Sequence, residues 1–258
     1  VKISYTTVFF NNTIDQISKL VSNIENTVPP DFQYDYYLVN NSPDNTEITN
    51  HLQALSKRNQ HIHSIIAKEN RGFGAGNNLA ISFLESDYHI IVNPDVTIPD
   101  KCQINMMIQY MHSHEVVLLS PLIKDKQGYI QKLVKRTPTI LDMGLRFAGQ
   151  SFFPQRQRWF TYDDQYGHIH ESSNLPGSFL VFKTDTLKKI GGFDERYFLY
   201  MEDADIARSM ALCGKTVFFP NAYIIHEWQR ENKKSIKGIL RMVVSMYRYF
   251  SKWGWKVF

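Results

Sequence analysis

The chain has 258 residues, of which 43% are hydrophobic and 21% charged, and its formal net charge is +4. That length and balance suit one large globular domain or two closely fused halves. No stretch approaches the roughly 18 uninterrupted apolar residues of a membrane span, and residues 1–10 run into Asn11-Asn12 without a secretory core, so a cytoplasmic protein is expected.

Runs rich in β-branched and aromatic residues predict strands at 3–10, 36–40, 64–67 and 89–92. Between them, 14–24, 48–55 and 78–84 carry apolar residues at three- and four-residue spacing, the pattern of helices packed on a parallel sheet. Residues 1–100 therefore read as a nucleotide-binding α/β half. A helix is predicted at 101–112 and a strand at 116–120. Residues 150–171 show no periodicity and read as a mobile or acceptor-contacting loop. A strand at 178–182 and a helix at 185–190 follow, the helix stopped by Gly191-Gly192. A further helix starts near Met201, and strands are predicted at 217–219 and 223–226. Residues 101–226 would complete the same domain, and 227–258 would form a helical tail. Cys102 and Cys213 stand far apart, outside any metal-ligand spacing, and read as reduced structural thiols.

In an open α/β sheet the ligand sits beyond the carboxyl ends of the strands. Asn40-Asn41-Ser42-Pro43-Asp44 follows the second predicted strand, Asn70 through Asn78 the third, and Asn93-Pro94-Asp95 the fourth. Three polar loops on one rim point to a binding site. Pro94 fixes the backbone so that the Asp95 carboxylate faces outward. A hard cation on a sugar-nucleotide diphosphate needs only one or two protein carboxylates, because phosphate oxygens and water supply the other ligands. Taken alone, the same aspartate closes an ordinary type I turn. Gly72, Gly74 and Gly76 would free the backbone to approach a ligand, and Arg71 suits a phosphate. Their spacing matches neither a Walker loop nor a dinucleotide fingerprint, and a flexible loop with a helix cap explains them equally well.

Glu202, Asp203 and Asp205 cluster at a helix start, where the dipole favours carboxylates. The apolar residues 197–201 directly before them suggest acids emerging from a buried wall into a cleft, where a carboxylate can take a proton from a sugar hydroxyl. His226 ends an apolar strand and alone reads as a hydrogen-bonded surface residue.

The charge is unevenly distributed. Residues 233–258 hold seven basic side chains and no acid, against 22 basic and 25 acidic residues elsewhere. On a helix, Ile236, Ile239, Leu240, Val243, Tyr247 and Phe250 share one face, and Lys237, Arg241, Arg248 and Lys252 share a neighbouring one. With Trp253 and Trp255, this suggests an amphipathic helix on the anionic inner surface of a membrane. Packing on the domain and a homodimer interface are the other uses of such a helix. No nucleic-acid partner is expected.

The ordered set of motifs, continued by Pro176-Gly177-Ser178-Phe179, Gly191-Gly192-Phe193-Asp194-Glu195 and the stretch from Phe198 to Asp205, resembles the family 2 glycosyltransferases. The likeness is strongest to bacterial rhamnosyltransferases of surface-polysaccharide synthesis. The resemblance implies a GT-A fold, Rossmann-like with a mixed central sheet, and an inverting mechanism assisted by Mg²⁺ or Mn²⁺. It implies that Asp44 contacts the nucleoside, that Arg71 and Asn77 line the donor site, and that Asn93 and Asp95 form an Asp-x-Asp-like element with one carboxylate fewer. Gly177 and Ser178 would line the cleft, Asp203 would be the base with Glu202 its acidic neighbour, and His226 would join Asp95 on the metal. Glu227-Trp228 departs from the small or polar residues often found after that histidine.

The favoured donor is dTDP-rhamnose, with UDP-hexoses and UDP-galactofuranose as alternatives, and the acceptor is expected to be a lipid-linked saccharide. A sugar-1-phosphate nucleotidylyltransferase would need a basic, glycine-rich loop near the amino terminus, where residues 6–11 offer none. A non-catalytic scaffold would have no use for Asp95 and Asp203.

Overall fold

A computed structural model of the chain describes residues 1–148, 152–227 and 236–258. The alternation expected from the sequence is present in the first half: β1 (Lys2–Phe9), α1 (Ile14–Thr27), β2 (Gln33–Asn40), α2 (Thr46–Arg58), β3 (Ile62–Ile66), α3 (Phe73–Ile81) and β4 (Tyr88–Val92). Local chemistry sets these boundaries. Thr13 and Gln16 form a capping box at the start of α1, the Thr13 hydroxyl accepting from the Gln16 amide at 3.2 Å and the Gln16 side chain accepting from the Thr13 amide at 3.0 Å. Asn45 caps α2 by accepting from the Ile48 amide. The predicted apolar stripe of α1 (Ile17, Leu20, Val21, Ile24) is buried in the core, at about 1.5–3 kcal/mol per side chain.

The chain continues with β5 (Val96–Thr97), α4 (Lys101–His114), β6 (Val116–Lys124), α5 (Ile140–Ala148), α6 (Pro154–Phe160), β7 (His170–Glu171), β8 (Phe179–Lys183), α7 (Thr184–Lys189), α8 (Glu202–Ala211), β9 (Lys215–His226) and α9 (Ile236–Trp253). The described strands form one mixed sheet in the order β3-β2-β1-β4-β8-β6-β9-β5, with β7 paired to β9. β3, β2, β1 and β4 run parallel, β8 runs antiparallel to its neighbours β4 and β6, and β9 lies parallel to β6.

The segment expected to be an irregular loop at 150–171 contains α6 and β7. It is held in part by Arg156, which forks onto the buried Asp142 of α5 at 2.7 and 2.9 Å. Such long-range pairing leaves no period in the sequence. The two strands expected at 217–219 and 223–226 are one strand, β9, whose pairing to β6 shifts register beside Pro121.

The glycine-rich segment also differs from expectation. Rather than a flexible loop, Gly74 and Gly76 lie inside α3, which starts five residues earlier than its apolar period suggested. A Cβ at Gly74 would stand 2.8 Å from the Phe193 side chain, and one at Gly76 would stand 2.8 Å from Val8. Gly72, at φ +101°, has no room for a side chain beside the Phe198 carbonyl. These glycines permit close approach of protein to protein.

α9 packs through Ser245, Tyr249 and Phe250, all buried, against Tyr197, Met201 and Ala204. The face expected to be apolar divides. Phe250 turns inward, while Leu240, Val243 and Tyr247 are 59%, 50% and 63% exposed. No described helix is long and apolar enough to cross a membrane.

Candidate active site

The three polar loops meet at the carboxyl ends of β1, β2, β3 and β4. Asn41 joins the first two, its amide donating to Asn70 Oδ1 at 3.0 Å and to the Gly72 carbonyl at 3.3 Å. A cleft of about 670 Å³ opens there, lined by Asp44, Ser42, Lys68, Glu69 and the exposed ring of Phe10. Arg71 stands at the rim, more than half exposed, and pairs with Glu195 at 2.9 Å.

Beside this cleft the sheet changes direction. The Asn93 amide donates to the Ser178 carbonyl at 2.9 Å, joining the end of β4 to the start of β8. A Cβ at Gly177 would lie 3.1 Å from the Asp203 Cβ and 3.8 Å from the Phe73 ring. Asn77 anchors to the Phe73 carbonyl through its amide nitrogen at 3.0 Å. Asn77, Asn93, Gly177, Ser178 and Asp203 therefore belong to one continuous floor. Four buried side-chain atoms on or next to it, Asn77 Oδ1, Asn93 Oδ1, Ser178 Oγ and Glu202 Oε2, have no hydrogen-bond partner among the described residues. Buried polar atoms are nearly always paired in folded proteins, so a group of orphans on one surface marks where a polar ligand would bind.

Asp95 and His226 come together through β5, a strand too short to read from sequence. Val96 pairs with His226, and the Glu227 amide donates to the Asp95 carbonyl at 2.9 Å. His226 Nε2 lies 3.3 Å from Asp95 Oδ1. Gln131 holds the histidine twice, through its Nε2 to the His226 carbonyl at 2.7 Å and its Oε1 to the imidazole Nδ1 at 3.2 Å. With Nδ1 donating to Gln131, the Nε2 lone pair faces Asp95. Sequence reasoning missed Gln131, which no motif contains. No described group of three histidine, cysteine or acidic side chains could hold a metal. One carboxylate and one imidazole do fit a divalent cation whose other ligands come from a diphosphate and water.

Asp203 and Glu202 begin α8, following Tyr200 and Met201, which both take left-handed backbone angles (φ 71° and 67°). A second cleft of about 390 Å³ contains both acids, walled by Met143, Phe160, Ile239 and Met242, with Lys135 and Asn174 also lining it. Glu202 is 8% exposed. Burial first, and the neighbouring Asp203 carboxylate second, push its pKa up to about 8. Asp205, the last acid of the cluster, points away from the cleft. It accepts from Lys252 Nζ at 2.8 Å, Trp253 Nε1 at 2.7 Å and the Tyr197 hydroxyl at 3.2 Å.

A mixed sheet, a nucleotide-sized cleft at its parallel edge and a carboxylate-bearing second cleft describe a GT-A glycosyltransferase. The chain belongs to glycosyl transferase family 2, whose pattern matches residues 5–190. It is similar to an N-acetylglucosaminyl-diphospho-decaprenol L-rhamnosyltransferase of Mycobacterium tuberculosis, 28% identical over 190 residues that cover 67% of this chain and 61% of that protein. It is also similar to the rhamnosyltransferase WbbL of Escherichia coli, 23% identical over 70% of each. The chain thus spans about three-fifths of the length of the mycobacterial relative.

Among solved structures, the fold resembles a mannosyltransferase of Pyrobaculum calidifontis in complex with GDP-Man and Mn²⁺. The TM-score is 0.64 at 14% identity, covering 97% of this chain and 63% of that one. It also resembles GalNAc-T7 with UDP, GalNAc and Mn²⁺, with a TM-score of 0.72 at 13% identity, covering 97% and 47%.

Proposed function

We propose that the protein is an inverting transferase that moves L-rhamnose from dTDP-rhamnose to a saccharide carried on a lipid, in the synthesis of a bacterial surface polysaccharide. The observation that carries the proposal is the floor of orphaned polar atoms between the Asp95–His226 pair and Asp203. It offers hydrogen-bond partners to a sugar placed between a diphosphate site and a base.

On this reading the nucleoside occupies the Asp44 cleft, and Asn77, Asn93 and Ser178 contact the donor sugar. Asp95 and His226 would hold Mg²⁺ or Mn²⁺, which when bound offsets the charge that builds on the diphosphate. Asp203 accepts the proton of the acceptor hydroxyl as that oxygen bonds to the anomeric carbon. The bond from the anomeric carbon to the diphosphate oxygen breaks on the opposite face, so configuration inverts and no covalent enzyme intermediate forms. Burial and the neighbouring Asp203 carboxylate favour the neutral form of Glu202, which limits the charge beside the base.

The choice of rhamnose rests on the names of the two relatives. UDP-linked hexoses and galactofuranose are the competing donors. A lipid-linked acceptor is supported by the mycobacterial relative's name and by the apolar walls of the second cleft. The outward face of α9, with Leu240, Val243 and Tyr247 exposed, would rest on the inner face of a membrane.

The test is a panel of sugar nucleotides offered to the purified protein with and without Mg²⁺ or Mn²⁺, reading released nucleoside diphosphate. Metal-stimulated release from dTDP-rhamnose above the UDP-sugars is expected. Preferential release from a UDP-sugar would overturn the donor assignment.

A further inference from the structure

The basic side chains of α9 do not form the free cationic stripe that their spacing suggests. Lys252 bridges Asp205 at 2.8 Å and Asp194 at 3.1 Å. Arg248 donates to the Arg196 carbonyl, and Arg241 stacks over the Phe198 ring at 4.3 Å. Ser245, buried between them, donates to the Leu199 carbonyl at 2.9 Å. Trp253 donates to Asp205 rather than to a lipid headgroup. Every one of these contacts falls on residues 194–205, the turn and first helical residues that present Glu202 and Asp203.

That turn needs support. Tyr200 and Met201 adopt consecutive left-handed conformations, which non-glycine residues hold only where their surroundings impose them. Met201, the N-cap of α8, makes no side-chain capping bond, and the first turn is held by Asp203 itself, whose Oδ1 accepts from the Ala204 amide at 2.8 Å. On one side the turn is gripped by α3, through the Phe73 amide to the Phe198 carbonyl at 3.2 Å and Asn78 to the Phe193 carbonyl at 2.8 Å. The other side is covered by α9.

We infer that α9 braces the strained turn that aims Asp203, and that Asp205 is the positioning residue through which it acts. Asp203 and Asp205 are two residues apart on α8, so at about 100° per residue they project to nearly opposite sides of the helix. One faces the cleft and the other faces α9. Asp205 is 2% exposed and gathers donors from both ends of the assembly, Tyr197 in the turn and Lys252 and Trp253 on α9. α9 also supplies Ile239 and Met242 to the wall of the Asp203 cleft, so its seating sets both the base and the space beside it.

The inference rests on the reading of Asp203 as the base, and its test separates the two. Asp205→Asn keeps an acceptor for Trp253 and Tyr197 but loses the ion pair, and Trp253→Phe removes one donor alone. In the full chain, both variants should lower acceptor-dependent kcat, by about 10- to 100-fold for Asp205→Asn and less for Trp253→Phe. The donor KM should stay within about twofold, because the donor residues lie on other loops. Lys252→Met should resemble Asp205→Asn, and Lys252→Arg, which keeps the ion pair, should restore most of the rate. Hydrogen exchange at residues 200–204 should quicken in Asp205→Asn while the amides of β1 and β4 stay protected.

Unchanged exchange at 200–204 would overturn the brace whether or not the wild-type protein transfers sugar. Faster exchange with full turnover would overturn its role in aiming Asp203. Parallel loss of donor binding and turnover would reduce Asp205 to a fold-stabilising residue. Should Asp205→Asn fail to fold, Trp253→Phe, which leaves the ion pair in place, carries the same readouts.

Discussion

His226 Nε2 lies 3.3 Å from the Asp95 carboxylate because a two-residue strand, β5, pairs Val96 with the end of β9. Gln131 fixes the ring from behind, so the pair is preset with both groups turned toward each other. Gln131→Ala leaves both Asp95 and His226 in place but frees the imidazole to rotate. On the proposed reading, the Mn²⁺ concentration for half-maximal activity should rise about 10- to 100-fold, the usual effect of losing a residue that orients a metal ligand. Calorimetric titration of Mn²⁺ in the presence of dTDP should show the same weakening, and an unchanged midpoint in both would separate Gln131 from the cation.

Glu202 gives the fold a pH dependence of defined sign. Its folded pKa, about 8, lies above the ordinary value of 4.5, so the folded state binds more protons than the unfolded state between those values. The contribution to stability is fully present below about pH 4.5 and is lost as pH rises through 8. Wild-type Tm should therefore decline from pH 6 to pH 9 relative to Glu202→Gln, which mimics the neutral acid at every pH. Parallel Tm curves for the two proteins would contradict the raised pKa.

Gly72 and Gly128 test whether the α3 glycines serve protein packing. Both have positive φ, +101° and +88°, but a Cβ at Gly128 meets nothing within 4 Å, whereas one at Gly72 overlaps the Phe198 carbonyl. Gly128→Ala should cost about 1 kcal/mol from backbone strain alone. Gly72→Ala should cost more, at least about 2 kcal/mol, and should disturb the turn before Asp203. Urea midpoints of the two variants measure the difference, and equal midpoints would remove the claimed close contact.

Membrane contact, if made by the outward face of α9, is separable from its inward bracing. Leu240→Asp with Val243→Asp places two charges on side chains that are 59% and 50% exposed, so Tm should move by less than about 1 kcal/mol equivalent. Co-sedimentation with vesicles containing anionic lipid should fall about tenfold or more. Undiminished sedimentation would rule out this face as the contact.

The sequence made the parallel first half of the sheet legible because α1 and α2 show a clear apolar period and each strand ends in a polar loop. The order of those loops gave the family, and the family gave Asp95, Asp203 and His226 their expected roles. What the sequence hid depends on distant partners. β5 is too short to have a period, and Gln131 acts through a residue 95 positions away. The alternating glycines of α3 resemble a ligand loop because the bulky neighbours they accommodate, Phe193, Phe198 and Val8, come from elsewhere in the chain. In α9, periodicity identified a helix with an apolar and a basic side but could not say which one meets the protein. Burial of Ser245 and Tyr249, and the pairing of Lys252 with Asp205, assign much of the basic side to the fold.

The central claim is that Asp203 acts as the base opposite the diphosphate site, and single-turnover transfer by Asp203→Asn tests it most directly. The side chain stays nearly isosteric, so donor affinity, measured by calorimetry, should remain within about twofold while the transfer rate falls by about 10²–10⁴. Near-normal transfer by Asp203→Asn would contradict the account.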